Sequence, residues 1–247
     1  MTRIIGILSG KGGVGKTTVA INLACALSLL NKKVSLVDLN FTTSHLALEF
    51  GIIPQITLND VLRNEASIED ALYPCFNIFI VPAALNLSEL VNVELSNLKS
   101  QIKNLLNSFE IVLLDSAPGF GREALSAIQI SDEIILVANP TVTAIADIIK
   151  CKELAIRLGI VPLGVVINKY RNKKFELKPK EISNLTELPL LATIREDEDF
   201  LRSEAERIPL VLRKRKKAEE FFKLACLLTG EKYKRPSFFR RLFGRLI

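Results

Sequence analysis

Residues 10–17 read GKGGVGKT, and no other stretch constrains the fold of this chain as much. The pattern G-x-x-x-x-G-K-[ST] is met at every defined position, with an apolar, β-rich run (RIIGILS, residues 3–9) in front of it and a helical run (residues 18–30) behind. Such a turn has to sit between a strand and the helix that follows. Gly10, Gly12, Gly13 and Gly15 let the backbone turn tightly and aim successive N–H groups inward, with the positive end of a helix dipole behind them. A polyphosphate fits that concavity, where Lys16 would reach the β and γ phosphates and the Thr17 hydroxyl would ligate Mg²⁺. A glycine-rich turn that binds nothing would need neither the lysine nor the threonine.

Short apolar runs recur at residues 4–8, 34–39, 78–82, 111–115, 134–138, 163–167 and 190–194, with helical stretches between them. Continuous rather than alternating apolar runs point to strands covered on both faces, and their alternation with helices predicts an α/β fold. The expected architecture is a doubly wound, mostly parallel sheet with helices on both faces. At 247 residues, 49% hydrophobic and 24% charged, the chain is near the upper limit for one core and too apolar to be disordered. Ligands on such sheets bind at the carboxyl ends of the strands. The notable polar residues fall there: residues 9–17, 38–40 and 115–119, Asn139 and Asn168.

The segment KKVSLVDLN (residues 32–40) ends a strand in Asp38 and Asn40. The segment IVLLDSAPG (residues 111–119) delivers Asp115 after four apolar residues, the pattern of a carboxylate brought to a magnesium shell or its waters. DSAPG also reads as a simple turn, and the upstream phosphate loop favours the carboxylate reading. Asn168 either reads a base edge, since its amide both donates and accepts, or closes a strand-end turn. Cys25, Cys75, Cys151 and Cys226 form no C-x-x-C spacing, so they are expected to be reduced, buried thiols rather than metal ligands. The lone histidine, His45, has no partner nearby and is expected to pack or hydrogen-bond rather than catalyse. The longest near-apolar run, residues 19–30, is too short to cross a bilayer, and Lys11 interrupts the N-terminal one, so a cytoplasmic protein is expected.

The net charge of +6 is unevenly placed. From residue 213 onward there are twelve Lys or Arg against three Glu, so the rest of the chain is slightly acidic and the partner implied is a localised anionic one. The helical stretch at residues 216–228 stops at Thr229 and Gly230, and a polar linker leads to FFRRLFGRLI. On a helical wheel Phe238, Phe239, Leu242, Phe243, Leu246 and Ile247 occupy one half and Arg240, Arg241 and Arg245 the other, with Ser237 as the cap. Ten helical residues span about 15 Å, enough to lie on a membrane and not to cross it. The same pattern would also suit a helix docked on the protein's own core.

With these residues in view, the chain resembles the MinD and ParA type ATPases. GKGGVGKT, with Lys11 directly after the first glycine, is similar to their deviant phosphate loop, and VDLN (37–40), LLDSAPG (113–119), ANP (138–140), VVINKY (165–170) and REDEDF (195–200) extend the match. DSAPGFGREAL (115–125) is most similar to the archaeal branch of MinD-like proteins. The resemblance implies a P-loop NTPase domain over residues 1–229, a linker at 230–236 and a membrane-targeting helix at 237–247. It implies ATP or ADP with Mg²⁺ on Gly10, Lys11, Gly12, Gly13, Val14, Gly15, Lys16, Thr17 and Thr18, and an ATP-dependent homodimer in which Lys11 crosses to the partner's nucleotide. Adenine contacts are implied near Asn168, Glu196 and Asp197, Thr17 as the direct metal ligand, and Asp38 and Asp115 as ligands through water. Because MinD proteins carry a similar tail, the terminal helix is expected on an anionic membrane surface. The protein would then be cytoplasmic and reversibly peripheral on the inner face of the cell membrane, serving cell-division or other polar machinery with an unidentified regulator or cargo. The competing class is a ParA-like ATPase that binds DNA non-specifically through RKRKK (213–217); a charge run is more often a solvated helix start, and DNA is not the partner expected.

Two departures from the family pattern matter. Arg195 stands where a proline is usual, which puts the backbone shape of the adenine loop in question. Asn40 stands where MinD-like proteins usually carry a second aspartate; its amide orients a water but cannot take its proton. Hydrolysis is therefore expected to be slow or to rely on Asp38. Asn40→Asp should hydrolyse ATP faster than the parent in a matched phosphate-release assay, and an equal rate would refute the reasoning.

Overall fold

The computed structural model describes residues 3–85, 95, 98–105 and 108–234, so the amphipathic segment at 237–247 and the end of its linker lie outside the described residues. β1 (Arg3–Leu8) feeds the phosphate loop, which opens into α1 (Lys16–Ser28), and β2 (Val34–Leu39) follows. Two one-turn helices, α2 (Leu46–Glu49) and α3 (Leu58–Leu62), precede the hairpin of β3 (Tyr73–Cys75) and β4 (Ile78–Val81). Next come α4 (Leu98–Leu105), β5 (Ile111–Ser116), α5 (Arg122–Ile130), β6 (Glu133–Ala138), α6 (Val142–Arg157) and β7 (Val161–Tyr170). The described chain closes with α7 (Pro179–Thr186), β8 (Leu190–Arg195), α8 (Glu198–Ala205), α9 (Leu210–Arg213) and α10 (Glu219–Thr229).

The strands form one sheet in the order β3-β4-β2-β5-β1-β6-β7-β8, parallel except for the β3/β4 hairpin. From β1 the chain runs out to β2 and β4, returns to place β5 between β2 and β1, and then adds β6, β7 and β8 on the other side, so the crevice of a doubly wound sheet opens beside β1, where the phosphate loop lies. Alternate strand residues serve opposite faces. Ile5, Ile7, Leu36, Leu113, Ile135, Val137 and Val166 pack with α1 and α10, whereas Ile4, Val37, Val112 and Leu114 pack towards α3, α4 and α5, and Leu8, Ile134, Leu136 and Val165 towards α6 and α7. α1 lies between the sheet and α10 and is buried almost all round, which explains why residues 19–30 are apolar with no polar face.

The seven expected strands are present, and an eighth, β3, was not foreseen in the sequence. It has only three residues, includes Pro74 and pairs Cys75 with Ile78 across a two-residue turn, Phe76-Asn77, whose φ angles are both positive (45° and 64°). The helix expected at residues 216–228 starts later, at Glu219, and ends on Gly230 at φ 72°, as a left-handed C-terminal cap should. RKRKK is largely exposed, as expected of a charge run, but it is a turn before the helix and is ion-paired: Arg213 pairs with Glu206, Lys214 with Asp199 at 2.8 Å and Lys217 with Asp197 at 2.8 Å, while Arg215 lies over the Phe222 ring. His45 is exposed at the start of α2 rather than packed, because Ser44 and Leu46 on either side take the buried positions. All four cysteines are buried free thiols, and burial pushes Cys25 and Cys151 up to about 12 and Cys75 up to about 11.

Phe221 is the large side chain that fixes α10 to the sheet; it is 1% exposed and meets the Phe200 ring edge-on at 6.3 Å. Phe221→Ala should cost about 3–5 kcal/mol, read as a lower urea midpoint with an unchanged slope.

Candidate functional site

The geometry begins with α1. Its N-cap is Gly15 at φ 85°, no side chain caps it, and there is no acid in its first turn. The helix therefore starts with backbone N–H groups that no side chain of the cap accepts, at the positive end of its dipole. Glycine is required at two positions for different reasons. Gly15 has left-handed backbone, and a Cβ there would stand 2.2 Å from Asn168 Nδ2; at Gly10 a Cβ would stand 2.1 Å from Asp147 Cβ on α6. Gly13, at φ 75°, has open space around it. These features make a cradle open on one side and crowded on the other, which fits an anion held by backbone amides.

Parallel pairing brings the acids to the cradle. Asp38 at the end of β2 is in register with Asp115 at the end of β5, and Asp115 is in register with Ile7 of β1. Asp115, 1% exposed, accepts from Lys16 Nζ at 3.0 Å on one oxygen and from Thr17 Oγ1 at 2.6 Å on the other. One carboxylate thus holds both the lysine and the hydroxyl expected to handle phosphate and metal. Asp38 is also 1% exposed, and its oxygens accept from Asn40 N at 2.9 Å, Ser44 Oγ at 2.8 Å and Leu46 N at 3.4 Å. Burial, and then the charge of Asp115, push Asp38 up to about 7 despite those three hydrogen bonds.

Among the described residues no cluster of three or more His, Cys, Asp or Glu could hold a metal unaided. Thr17, Asp38 and Asp115 instead fit the magnesium pattern, in which one or two carboxylates and retained waters share the ion with phosphate oxygens. At the next strand end, Asn139 Oδ1 is buried with no hydrogen-bond partner among the described residues.

The other expected residues are placed as follows. Asn40 does not reach Asp115: its amide donates to Thr43 O and Thr43 Oγ1 at 2.8 and 2.9 Å, closing a turn. Lys11 is half-buried, and its ammonium makes no hydrogen bond or ion pair among the described residues; its carbonyl accepts from Ser9 Oγ at 3.0 Å. Thr18 lines a small cavity between α1 and α8. Asn168, 6% exposed, donates to Val14 O at 2.8 Å, which places it on the phosphate loop. Glu196 and Asp197 stand at the end of β8 and are engaged in ion pairs, Glu196 with Arg171 and Asp197 with Lys217. Two positions went unnoticed in the sequence. Ser44 buttresses Asp38 with nothing local to announce it, and Lys169, next to Asn168, donates to Gly13 O at 2.8 Å.

A parallel, doubly wound sheet with G-x-x-x-x-G-K-T between its central strand and first helix, and a strand-end aspartate on the lysine and threonine, defines a P-loop nucleotide-binding protein. The family described as the CobQ/CobB/MinD/ParA nucleotide binding domain matches residues 5–210, and the chain belongs to it. It is 34% identical over 259 residues to an uncharacterized ATP-binding protein of Methanocaldococcus jannaschii, covering 99% of this chain and 98% of that one. Its structure is similar to that of the cell division ATPase MinD of Pyrococcus furiosus, with a TM-score of 0.89 and 36% identity over 93% of this chain and 99% of the other. It is likewise similar to the septum site-determining protein MinD of Pyrococcus horikoshii in complex with Mg-ADP, with a TM-score of 0.88 and 36% identity over 92% and 96%.

The raised Asp38 has a consequence for stability without ligand. Between about pH 4 and pH 7 the folded protein keeps a proton that the unfolded chain releases, so this residue's contribution falls as pH rises, by up to about 1.4 kcal/mol per pH unit. Asp38→Asn should remove that slope. The difference in unfolding free energy between Asp38→Asn and the parent, measured at pH 4 to 8 without nucleotide or Mg²⁺, should grow in favour of the variant towards pH 7; a constant difference would overturn the assignment.

Proposed function

We propose that this chain is a MinD-type ATPase whose ATP-dependent homodimerisation controls its residence on an anionic membrane surface. The observation that carries the nucleotide part is the buried Lys16–Asp115–Thr17 chain at the uncapped start of α1. In this reading the backbone amides of residues 10–17 cradle the phosphates, and Lys16 exchanges Asp115 for phosphate oxygen. Asp115 and the Thr17 hydroxyl would then be the groups available to hold a magnesium ion, which when bound would supply neutralisation of charge developing on the phosphoryl group. Asp38, at the end of β2 beside Asp115, orients the attacking water. Asn40 orients without accepting, so turnover is slow. Asn168 keeps its carbonyl for the adenine edge, and Glu196 and Asp197 border the base from β8.

Lys11 supports the dimer: an ammonium without a partner among the described residues, next to the cradle, is available to a nucleotide held by a second copy. On the lipid side, each arginine near an anionic surface gains about 1 kcal/mol, so one short tail grips weakly and two on one dimer raise avidity by about 10²- to 10⁴-fold. Binding to DNA through residues 213–217 is less favoured, because the ion pairs of Arg213, Lys214 and Lys217 already neutralise much of that run. The regulator or cargo is a second protein of unspecified identity, and the location proposed is the cytoplasmic face of the cell membrane.

Sedimentation with anionic liposomes checks the whole reading. The parent should pellet with ATP and much less with ADP or no nucleotide, Lys16→Ala should pellet in none of these, and deletion of residues 237–247 should abolish pelleting while leaving nucleotide uptake intact. Equal pelleting in all three nucleotide states would remove the switch.

A further inference from the structure

We propose that Lys169 is a positioning residue: together with Asn168 it clamps two consecutive carbonyls of the phosphate loop and so presets the amides that receive phosphate. This rests on the nucleotide reading above and concerns the same site.

Neighbouring residues of a regular strand point to opposite faces of the sheet, so Asn168 and Lys169 should diverge. They do not. The β7–β8 register slips between Ile167 and Tyr170, and Lys169 has left-handed backbone at φ 56°, an uncommon conformation for a residue with a Cβ. This irregularity turns the lysine onto the side that Asn168 already serves. The Asn168 amide then donates to Val14 O and the Lys169 ammonium to Gly13 O, each at 2.8 Å.

The consequence follows from peptide geometry. In a trans peptide the carbonyl and the next N–H point in opposite directions, and there are no cis bonds in the described chain. Drawing Gly13 C=O and Val14 C=O towards the end of β7 therefore turns Val14 N–H and Gly15 N–H away from it, into the cradle. Donors set in advance do not have to be reorganised when an anion arrives. Lys169 is exposed, so its side chain is not needed to fill the core. A strained backbone at an exposed lysine is accounted for by what the ammonium holds.

The test uses the full chain with Lys169→Met, which keeps the length and removes the charge, and Lys169→Arg, which keeps the charge. Calorimetric titration with Mg²⁺ and ADP is paired with hydrogen exchange of the peptide covering residues 10–16 in the absence of nucleotide. Lys169→Met should bind ADP about tenfold more weakly and exchange faster over residues 10–16, with an unchanged melting temperature. Lys169→Arg should recover most of both. If the parent takes up no ADP, the nucleotide reading and this inference fall together. If the parent binds and Lys169→Met binds equally well with the same exchange, only the clamp is overturned. An equal loss in both variants with lowered melting temperatures would mark a folding role and overturn it too.

Discussion

One carboxylate, Asp115, holds the site in its present form. It is buried at the end of β5 and bridges Lys16 and Thr17, the first two residues of α1, so the pitch of the central strands sets the start of the helix. Burying a charge pair gives up hydration, and the pair persists because each oxygen of Asp115 has a donor. Asp38 has no cationic partner among the described residues; burial, and then the charge of Asp115 in the adjacent strand, raise its affinity for a proton. In this state a single ammonium faces two buried carboxylates.

That arrangement depends on the sheet being parallel around β1. Parallel strands end at the same edge, so β2, β5, β1, β6 and β7 deliver Asp38, Asp115, the phosphate loop, Asn139 and Asn168 to one rim although these residues lie far apart in sequence. Period-two burial on each strand then fixes which residues face which helix layer, and a slip of one residue would exchange the inner and outer sets. The register that buries Ile5 and Ile7 under α1 is the same one that aligns Ile7 with Asp115. Core packing and site geometry are one constraint read at two places along a strand.

This explains what the sequence disclosed. Strands buried on both faces are continuous apolar runs, so seven of the eight could be read directly and their polar ends with them. The phosphate loop was legible because its glycines, lysine and threonine are contiguous. β3 was not: three residues with a proline carry no periodicity, and Phe76 in left-handed backbone is an unexpected turn residue. Nor was the environment of residues 213–217, since its partners Asp197, Asp199 and Glu206 reach it only through the folding of α8 and α9 against α10. Lys169 shows the limit most clearly. Its neighbour Asn168 stood out as a strand-end amide, but a backbone irregularity that rotates one side chain onto its neighbour's side leaves no mark in composition or spacing.

The path of α10 links the two ends of the parallel strands. α10 begins beside the β8 end of the site, where Lys217 is held by Asp197, and finishes at the opposite end of the strands, where Leu228 O accepts from Arg3 Nη1 at 2.5 Å and Glu231 pairs with Lys32 at 3.4 Å. Its eleven residues span about 16 Å. Residue 231 is thus separated from the cradle by the length of a buried helix packed on α1 and β8. A displacement at the cradle would reach residue 231 only by moving that helix bodily against the core, because the cradle and residue 231 lie at opposite ends of the parallel strands.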